Sequence, residues 1–337
     1  MNFEPGEEQV LLRDMVGRFL ADRTDVAMIG HGPMPREDWR ALGELGLFAF
    51  LLPERGGGMG GRPQDAMIVG EELGRALAIT PLAESVLAAA DLVARHGSAA
   101  QVERWLPAAL GGDAVLALAT GDVTVRDGRI DGRCEHVRWA VEAAALVVVH
   151  DETAWLVPAG ASGLDIAPVR LIDGSLAGNV LFNGCEAEAI ALPAGAAAAS
   201  LATAQLVYVA EMVGAMGLLY EQTVDYARQR RQFGAAIGTF QVVQHKLARM
   251  FVALEQCRSL LLKAGVADRD DPGFERGILA AKAYVAAAAQ HLAEEAVQLH
   301  GGMGVTDELA IGRGLRRVML LARLFGSADA ARARLAR

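Results

Sequence analysis

Two short stretches hold the residue types and spacings that could do chemistry. The first is Tyr226-Ala227-Arg228-Gln229-Arg230-Arg231-Gln232-Phe233-Gly234, followed by Ile237, Phe240 and Gln241. Arginines at a helix C-terminus offset the negative end of the helix dipole, which explains the cations but not the exit through Gln232-Phe233-Gly234. A planar guanidinium, an amide and an aromatic ring at one turn suit a diphosphate joined to an adenine-like ring. On spacing alone, cap and ligand site both stay open. The second stretch is Gln298-Leu299-His300-Gly301-Gly302-Met303-Gly304. Gly301 fits the left-handed residue that ends a helix. Three glycines in four residues exceed what one cap needs and let a ligand or another chain approach the backbone.

Other chemistry finds little support. Gly56, Gly58 and Gly61 satisfy G-x-G-x-x-G after a hydrophobic run. A dinucleotide-binding βαβ unit needs strands alternating with helices, and the sequence onward to Leu110 offers helical periodicity only, so these glycines read as a turn. The seven histidines, His31, His96, His136, His150, His245, His291 and His300, show no HxxxH or HExxH spacing and no clustered acids; no metal site is expected. Ser162 in Gly160-Ala161-Ser162-Gly163 lacks the spacing of a nucleophile elbow. Cys134, Cys185 and Cys257 lie far apart without CxxC and read as structural thiols.

The elements that must position these stretches follow from periodicity. The chain has 337 residues, 53% of them hydrophobic and 22% charged, so it can bury more than one core. Its formal charge of −9, without a basic block, argues against a nucleic-acid partner. Mean hydropathy is positive at +0.26, yet apolar runs are broken by charge, as Val137 to Val149 is by Arg138 and Glu142, and none is expected to span a bilayer. Glu4, Glu7 and Glu8 stand where a signal peptide would be basic and then apolar, which points to the cytoplasm. From Glu7 to Leu110 apolar residues recur at three and four, the period of amphipathic helices. Leu47 to Arg62, rich in glycine, is expected to interrupt them, and Pro63 to start the next. Around Gly111 the texture changes to Val- and Ile-rich runs with turn signals at Asp127-Gly128, Asp131-Gly132 and Asp173-Gly174. Strands are predicted at Ala144 to His150, Thr153 to Pro158 and Asn179 to Phe182. From Ala194 helical periodicity returns, with breaks at Phe233 to Gly238, Gly265 to Gly273 and Gly301 to Val305, which predicts four long antiparallel helices. The fold class is therefore mainly α with a middle β-domain: residues 1–111 all-α, 112–193 β, and 194–337 a four-helix bundle.

Taken in order, these features resemble the acyl-CoA dehydrogenase family, flavoproteins with an N-terminal helical domain, a middle β-domain and a C-terminal four-helix bundle. Leu52-Pro53-Glu54-Arg55-Gly56-Gly57-Gly58-Met59-Gly60 and Gly70-Glu71-Glu72-Leu73-Gly74 look like that family's PE-x-x-GG-x-G turn and EELG helix. Arg230 to Gly234, Phe240-Gln241, Gln298 and Gly301-Gly302-x-Gly304 carry the C-terminal part. The resemblance covers nearly the whole chain and implies FAD as cofactor. Carried over, Arg230 would pair with the pyrophosphate, Gln232 and Phe233 would line the cofactor, and Ile237 and Phe240 would pack near its adenine end. Gln298, Leu299, Gly301 and Gly302 would close the site across a subunit interface. An acyl-CoA substrate, a homotetramer or a heteromeric tetramer with a paralogous subunit, and electron-transferring flavoprotein as acceptor are also implied.

Two departures from the family pattern stand out. The T-E-x-x-x-GSD segment that opens the family's β-domain is missing: Ala119-Thr120-Gly121-Asp122 runs almost directly into Val123 to Gly128. The family also removes an α-proton of the thioester with a carboxylate, usually in a Y-E-G-T motif. Counted from Gly301-Gly302, that motif falls on Leu324-Phe325-Gly326-Ser327, so the base position is Phe325, and the alternative position on the first bundle helix falls on Ala204. Neither accepts a proton. Asp329, counted as one helical turn beyond Phe325, is a substitute candidate, and Glu211 a further ionisable one with a structural role as its commoner reading. The resemblance implies an FAD-dependent α,β-desaturation of an acyl-CoA, of the short type similar to subunits acting on bulky thioesters such as steroid side chains. The competing readings are a non-catalytic subunit of a heteromeric enzyme, and a flavoprotein of this fold that reduces nitro groups or activates oxygen.

Overall fold

The computed structural model describes residues 6–23, 32–306 and 308–336; Glu4 and His31 lie outside the described residues. Helices α1 (Glu7–Arg23), α2 (Arg36–Glu44), α3 (Leu47–Leu51), α4 (Pro63–Arg75), α5 (Asp91–His96) and α6 (Ala99–Leu110) come first, with a wider π-type helical segment at Leu82–Ala90. Strands β1 (Leu116–Ala119), β2 (Asp122–Arg126), β3 (Arg129–Arg138), β4 (Ala145–His150), β5 (Thr153–Pro158), β6 (Leu164–Arg170), β7 (Leu176–Glu186) and β8 (Glu188–Ala191) follow. Then come α7 (Ala196–Gln229), the two-residue strands β9 (Arg231–Gln232) and β10 (Ala235–Ala236), α8 (Gln241–Gly265), α9 (Phe274–His300), α10 (Ala310–Leu321) and α11 (Ala328–Leu335). The chain folds into two compact units: Met1–Gly32 with Pro63–Ala78 and Gln205–Arg337, and Pro33–Arg62 with Ile79–Ala204.

In the second unit two four-stranded sheets, ordered β1-β4-β5-β8 and β2-β3-β7-β6, share one core. Ala117, Leu146, Val148 and Val157 from one sheet and Ile130, Cys134, Val180 and Phe182 from the other fill it, as expected of inner faces that alternate along each strand. The parallel pair β1 and β4 is antiparallel to nothing but β5, and the second sheet is antiparallel throughout. Asp127-Gly128 makes the β2–β3 hairpin, with both residues at positive φ. Asp131-Gly132, expected to be a turn, lies instead inside β3, where the register shifts between Ile130 and Gly132; the glycine there serves a bulge. The run at Leu47 forms the single helical turn α3 rather than breaking the helices outright, because Leu47, Phe48 and Leu51 are buried once Gly46 turns the chain at φ 81°. Gly56, Gly58 and Gly61 are claimed by packing: a Cβ would lie 2.4 Å from the Ala94 Cβ, 2.2 Å from the Leu52 carbonyl oxygen and 2.3 Å from that of Phe50, respectively. No strand-helix phosphate loop is formed.

In the first unit α4 crosses α7 with almost no side chain between them. A Cβ at Gly74 would sit 2.1 Å from the Glu211 carbonyl oxygen, and one at Gly214 would sit 2.0 Å from that of Glu71. This contact is the physical content of the Gly70-Glu71-Glu72-Leu73-Gly74 motif. Three bundle helices are long, α7 at 34, α8 at 25 and α9 at 27 residues. The fourth is not: α10 has 12 residues, and a turn through Phe325 (φ 54°) and Gly326 (φ 99°) separates it from the 8-residue α11. By length and hydropathy α7 could cross a membrane, contrary to the sequence expectation, but 89% of its apolar window is buried within the protein.

Candidate functional site

The helix α7 ends at Gln229, and the chain reverses through a two-residue hairpin in which Gln232 pairs with Ala235 and Arg231 with Ala236. Phe233 and Gly234 occupy the hairpin tip at φ 51° and 82°. A glycine takes this conformation freely, whereas an aromatic residue in it costs on the order of 1 kcal/mol or more. Phe233 is nonetheless 95% exposed, so burial does not compensate, and a strained, exposed ring marks a surface built to receive something. Phe240 meets its edge, ring centroids 6.3 Å apart at 72°. The Ile237 N–H donates to the Arg230 carbonyl at 2.8 Å, closing the loop that leads into α8. Gln232 Nε2 donates to the Arg231 carbonyl at 2.9 Å. Arg228 pairs with Asp225 at 3.3 Å, whereas among the described residues no acid meets the exposed guanidiniums of Arg230 and Arg231. A cap needs one cation, and two unpaired ones beside an exposed ring suit a polyphosphate better.

The end of α9 lies against the same helix α7. Tyr226, four residues before Arg230, stacks on His300 with ring centroids 4.2 Å apart at 25°. His300 is buried, its Nδ1 lies 2.8 Å from the Ala296 carbonyl, and burial pushes its pKa below the ordinary histidine value while that carbonyl partly opposes the shift. A neutral imidazole donating through Nδ1 follows. This stack was not expected from the sequence, where His300 figured only as part of a glycine motif. The three glycines after it now separate in role. Gly301 has φ 62° and ψ −138°, a conformation left to glycine. Gly304 is required by packing, since a Cβ would lie 2.7 Å from the Val297 carbonyl oxygen. Gly302 has neither reason: it is exposed and a Cβ would meet nothing within 4 Å. Gln298 is exposed and Leu299 half-buried beside it. The cofactor residues read from the sequence thus gather in two exposed patches joined by the Tyr226–His300 stack, and bare main chain, free guanidiniums and an exposed ring together fit a flat, diphosphate-bearing cofactor such as FAD.

The positions expected to carry a base hold none. Phe325 is half-buried with its ring 5.5 Å from that of Tyr208, itself fully buried. Ala204 is fully buried. Asp329 does not follow Phe325 by a helical turn, because α11 starts only at Ala328; its side chain is 89% exposed and pairs with Arg332 at 2.7 Å. Glu211 is buried and bonded to Arg317 at 2.5 Å, both side chains almost inaccessible. A carboxylate so engaged is a structural acid. Where the family's flavin-lining segment would begin, β1 passes into β2 through Thr120 and Gly121 alone, and a Cβ at Gly121 would sit 2.6 Å from the Arg133 carbonyl oxygen. Among the described residues no group of His, Cys, Asp and Glu is arranged to hold a metal.

Comparison with known proteins agrees with this architecture at both ends of the chain. The acyl-CoA dehydrogenase N-terminal domain model matches residues 6–113, and the C-terminal domain model matches residues 194–337. Acyl-CoA dehydrogenase IpdE2 of Mycobacterium tuberculosis is 30% identical over 310 residues, spanning 90% of this chain and 88% of its own length. The ChsE4-ChsE5 complex from the same organism superposes with a TM-score of 0.90 at 26% identity, over 100% of this chain and 98% of that one. A variant of the Tcur3481-Tcur3483 steroid ACAD gives 0.86 at 28% identity, over 98% and 97%. Two family models that together match residues 6–113 and 194–337, and a relative 30% identical over 90% of this chain, place the chain in the acyl-CoA dehydrogenase family.

Proposed function

We propose that this chain is the cofactor-holding subunit of a heteromeric, FAD-dependent acyl-CoA dehydrogenase that desaturates a bulky acyl-CoA thioester, and that a paralogous partner supplies the proton-abstracting carboxylate. The observation that carries the reading is the base position itself. Phe325 lies on Tyr208, Glu211 is held by Arg317, and Asp329 faces solvent with Arg332. A phenyl ring cannot take the α-proton, so a carboxylate must come from elsewhere.

The named relatives support a heteromeric arrangement: ChsE4-ChsE5 is a complex of two chains, and the Tcur3481-Tcur3483 pair is a steroid ACAD. The surface supports it as well. Phe251 and Val252 on α8 and Tyr284 on α9 line one open groove and expose between 41% and 53% of their area, and exposed large apolar side chains gathered in this way are a usual mark of a protein interface. FAD, when bound, supplies the acceptor for the hydride that leaves the β-carbon. Arg230 would hold its pyrophosphate with a charge-assisted bond, Phe233 and Phe240 would pack against it, and the main chain at Gly301 and Gly302 would admit close approach from across the interface. Neutral His300 keeps that glycine turn against α7 without adding a further cation to Arg230 and Arg231. Electron-transferring flavoprotein is the expected acceptor of the electrons.

Co-purification with a paralogous chain, followed by flavin reduction with a panel of acyl-CoA thioesters, tests this. The pair is expected to bleach its flavin with a bulky thioester while this chain alone does not. Replacing the partner's base by glutamine abolishes bleaching, and Asp329→Asn leaves it unchanged. Bleaching by this chain alone that disappears in Asp329→Asn would return the base to this subunit. Slow reoxidation of the reduced flavin by oxygen is expected; fast reoxidation would move the reading to the oxygen-activating branch of the fold.

A further inference from the structure

Lys282 has no part in the cofactor site, yet it is fully buried in the middle of the alanine-rich helix α9. Its ammonium or amine Nζ donates to the carbonyl of Leu324, the residue just before Phe325. On another helix, α7, Gln205 is 4% exposed and its Nε2 donates to the carbonyl of Phe325 at 3.4 Å. Two side chains from two helices therefore grip two consecutive carbonyls of one turn. That turn holds two successive residues at positive φ, Phe325 at 54° and Gly326 at 99°. A phenylalanine does not stay in the left-handed region unless its surroundings impose it, and neither a strand nor a helix imposes it here, since α10 ends at Leu321 and α11 begins at Ala328. The turn's own backbone bonds, from the Leu324 amide to Leu320 and from the Gly326 amide to Arg323, leave the Leu324 and Phe325 carbonyls to the two side-chain donors, and the Phe325 ring to Tyr208.

We propose that Lys282 and Gln205 are positioning residues: by donating to the Leu324 and Phe325 carbonyls they hold the 324–326 turn in the conformation that lays the Phe325 ring on Tyr208. The position where the family carries its base is thereby a fixed aromatic wall rather than an adaptable loop. A lysine is suited to this place because its long stem fills the apolar interior while its tip meets the carbonyl, and a buried donor of this kind is retained only where it is satisfied. The inference rests on the reading that this subunit lacks a base, but it is separable from it, because the state of the turn is measured without turnover, FAD or a partner.

The test uses the full chain with 4-fluorophenylalanine placed at position 325, together with hydrogen exchange of the Leu324 and Gly326 amides. Both amides are bonded within the turn, to Leu320 and Arg323 respectively. Lys282→Met and Gln205→Met each keep an unbranched side chain of similar size while removing a donor. In either variant the two amides are expected to exchange at least ~10-fold faster, with the Leu292 amide in mid-α9 unchanged, and the fluorine resonance is expected to move away from its Tyr208-shielded position. A role in filling space alone would move neither reading, because both variants still fill the site with an unbranched side chain of similar size. Exchange within about two-fold of the parent and an unmoved fluorine line in both variants would overturn the proposal. Should Lys282→Met not fold, Gln205→Met decides by the same two readings. Failure of the base-free reading would appear elsewhere, as flavin bleaching by this chain alone.

Discussion

Arg230 is exposed, meets no acid and stands four residues beyond the Tyr226–His300 stack, so its charge is available to a phosphate. Removing a charge-assisted bond costs about 1.5–3 kcal/mol. Arg230→Ala is therefore expected to weaken FAD binding by roughly 10- to 100-fold, as read by fluorescence titration, while Arg228→Ala, whose parent is already paired with Asp225, changes it little. Equal losses in the two variants would mean that the arginines act only on the helix dipole. The turn at Phe233 and the glycine run after His300 were legible in the sequence because both signals are local, and the structure shows the ring exposed at a hairpin tip and one glycine of the run, Gly302, without a packing reason. What stayed illegible were contacts between residues far apart in the chain. Nothing near Lys282 in sequence tells that its amine meets a carbonyl 42 residues on, and only the helix crossing brings Gln205 to Phe325. A lone lysine amid Ala280, Ala281 and Ala283 was the one available signal.

At the scale of elements, the α4–α7 crossing depends on missing side chains. Gly74→Ala and Gly214→Ala each force a methyl to within about 2 Å of a carbonyl oxygen of the facing helix, and because that obstacle is backbone, the helices must separate. Overpacking of this kind costs about 1–3 kcal/mol, which chemical denaturation should report as a lowered midpoint, whereas Gly302→Ala, with open space around it, should leave stability unchanged. If Gly302→Ala instead weakens FAD binding or subunit association, the exposed glycine turn is a contact surface, as proposed. The Glu211–Arg317 pair lies in the same unit with both side chains buried. Breaking it by Glu211→Ala takes a buried carboxylate away from a buried guanidinium and should cost about 3–5 kcal/mol. Periodicity predicted the long helices and Pro63 as a helix start, because those signals are local. It placed α10 and α11 in one helix because the turn at Phe325 is imposed from outside: apolar spacing alone cannot register two carbonyls held by distant donors.

For the molecule as a whole, sequence texture divides the chain at Gly111 and Ala194, while compactness joins Pro63–Ala78 to Gln205–Arg337 and leaves Pro33–Arg62 with the sheets. That regrouping follows from glycine contacts and helix crossings that no local window contains. The stability of the folded chain also carries a pH signature that local reading misses. Burial pushes the Lys282 amine down to about 7 from its ordinary 10.5. Between those values the unfolded chain binds a proton that the folded chain does not, so the unfolding free energy rises with pH across this window. Below about pH 7 both states are protonated and the full penalty of a buried ammonium is present; above 10.5 both are neutral and it is gone. The penalty relieved is at most on the order of 5 kcal/mol. Lys282→Met removes the linkage together with the bond to Leu324, and the lost bond is a constant offset across pH. Thermal unfolding of parent and variant at pH 6.5 and 9 separates the two: the parent should gain on the variant as pH rises. Parallel curves would mean that Lys282 is solvated or stays charged in the folded chain.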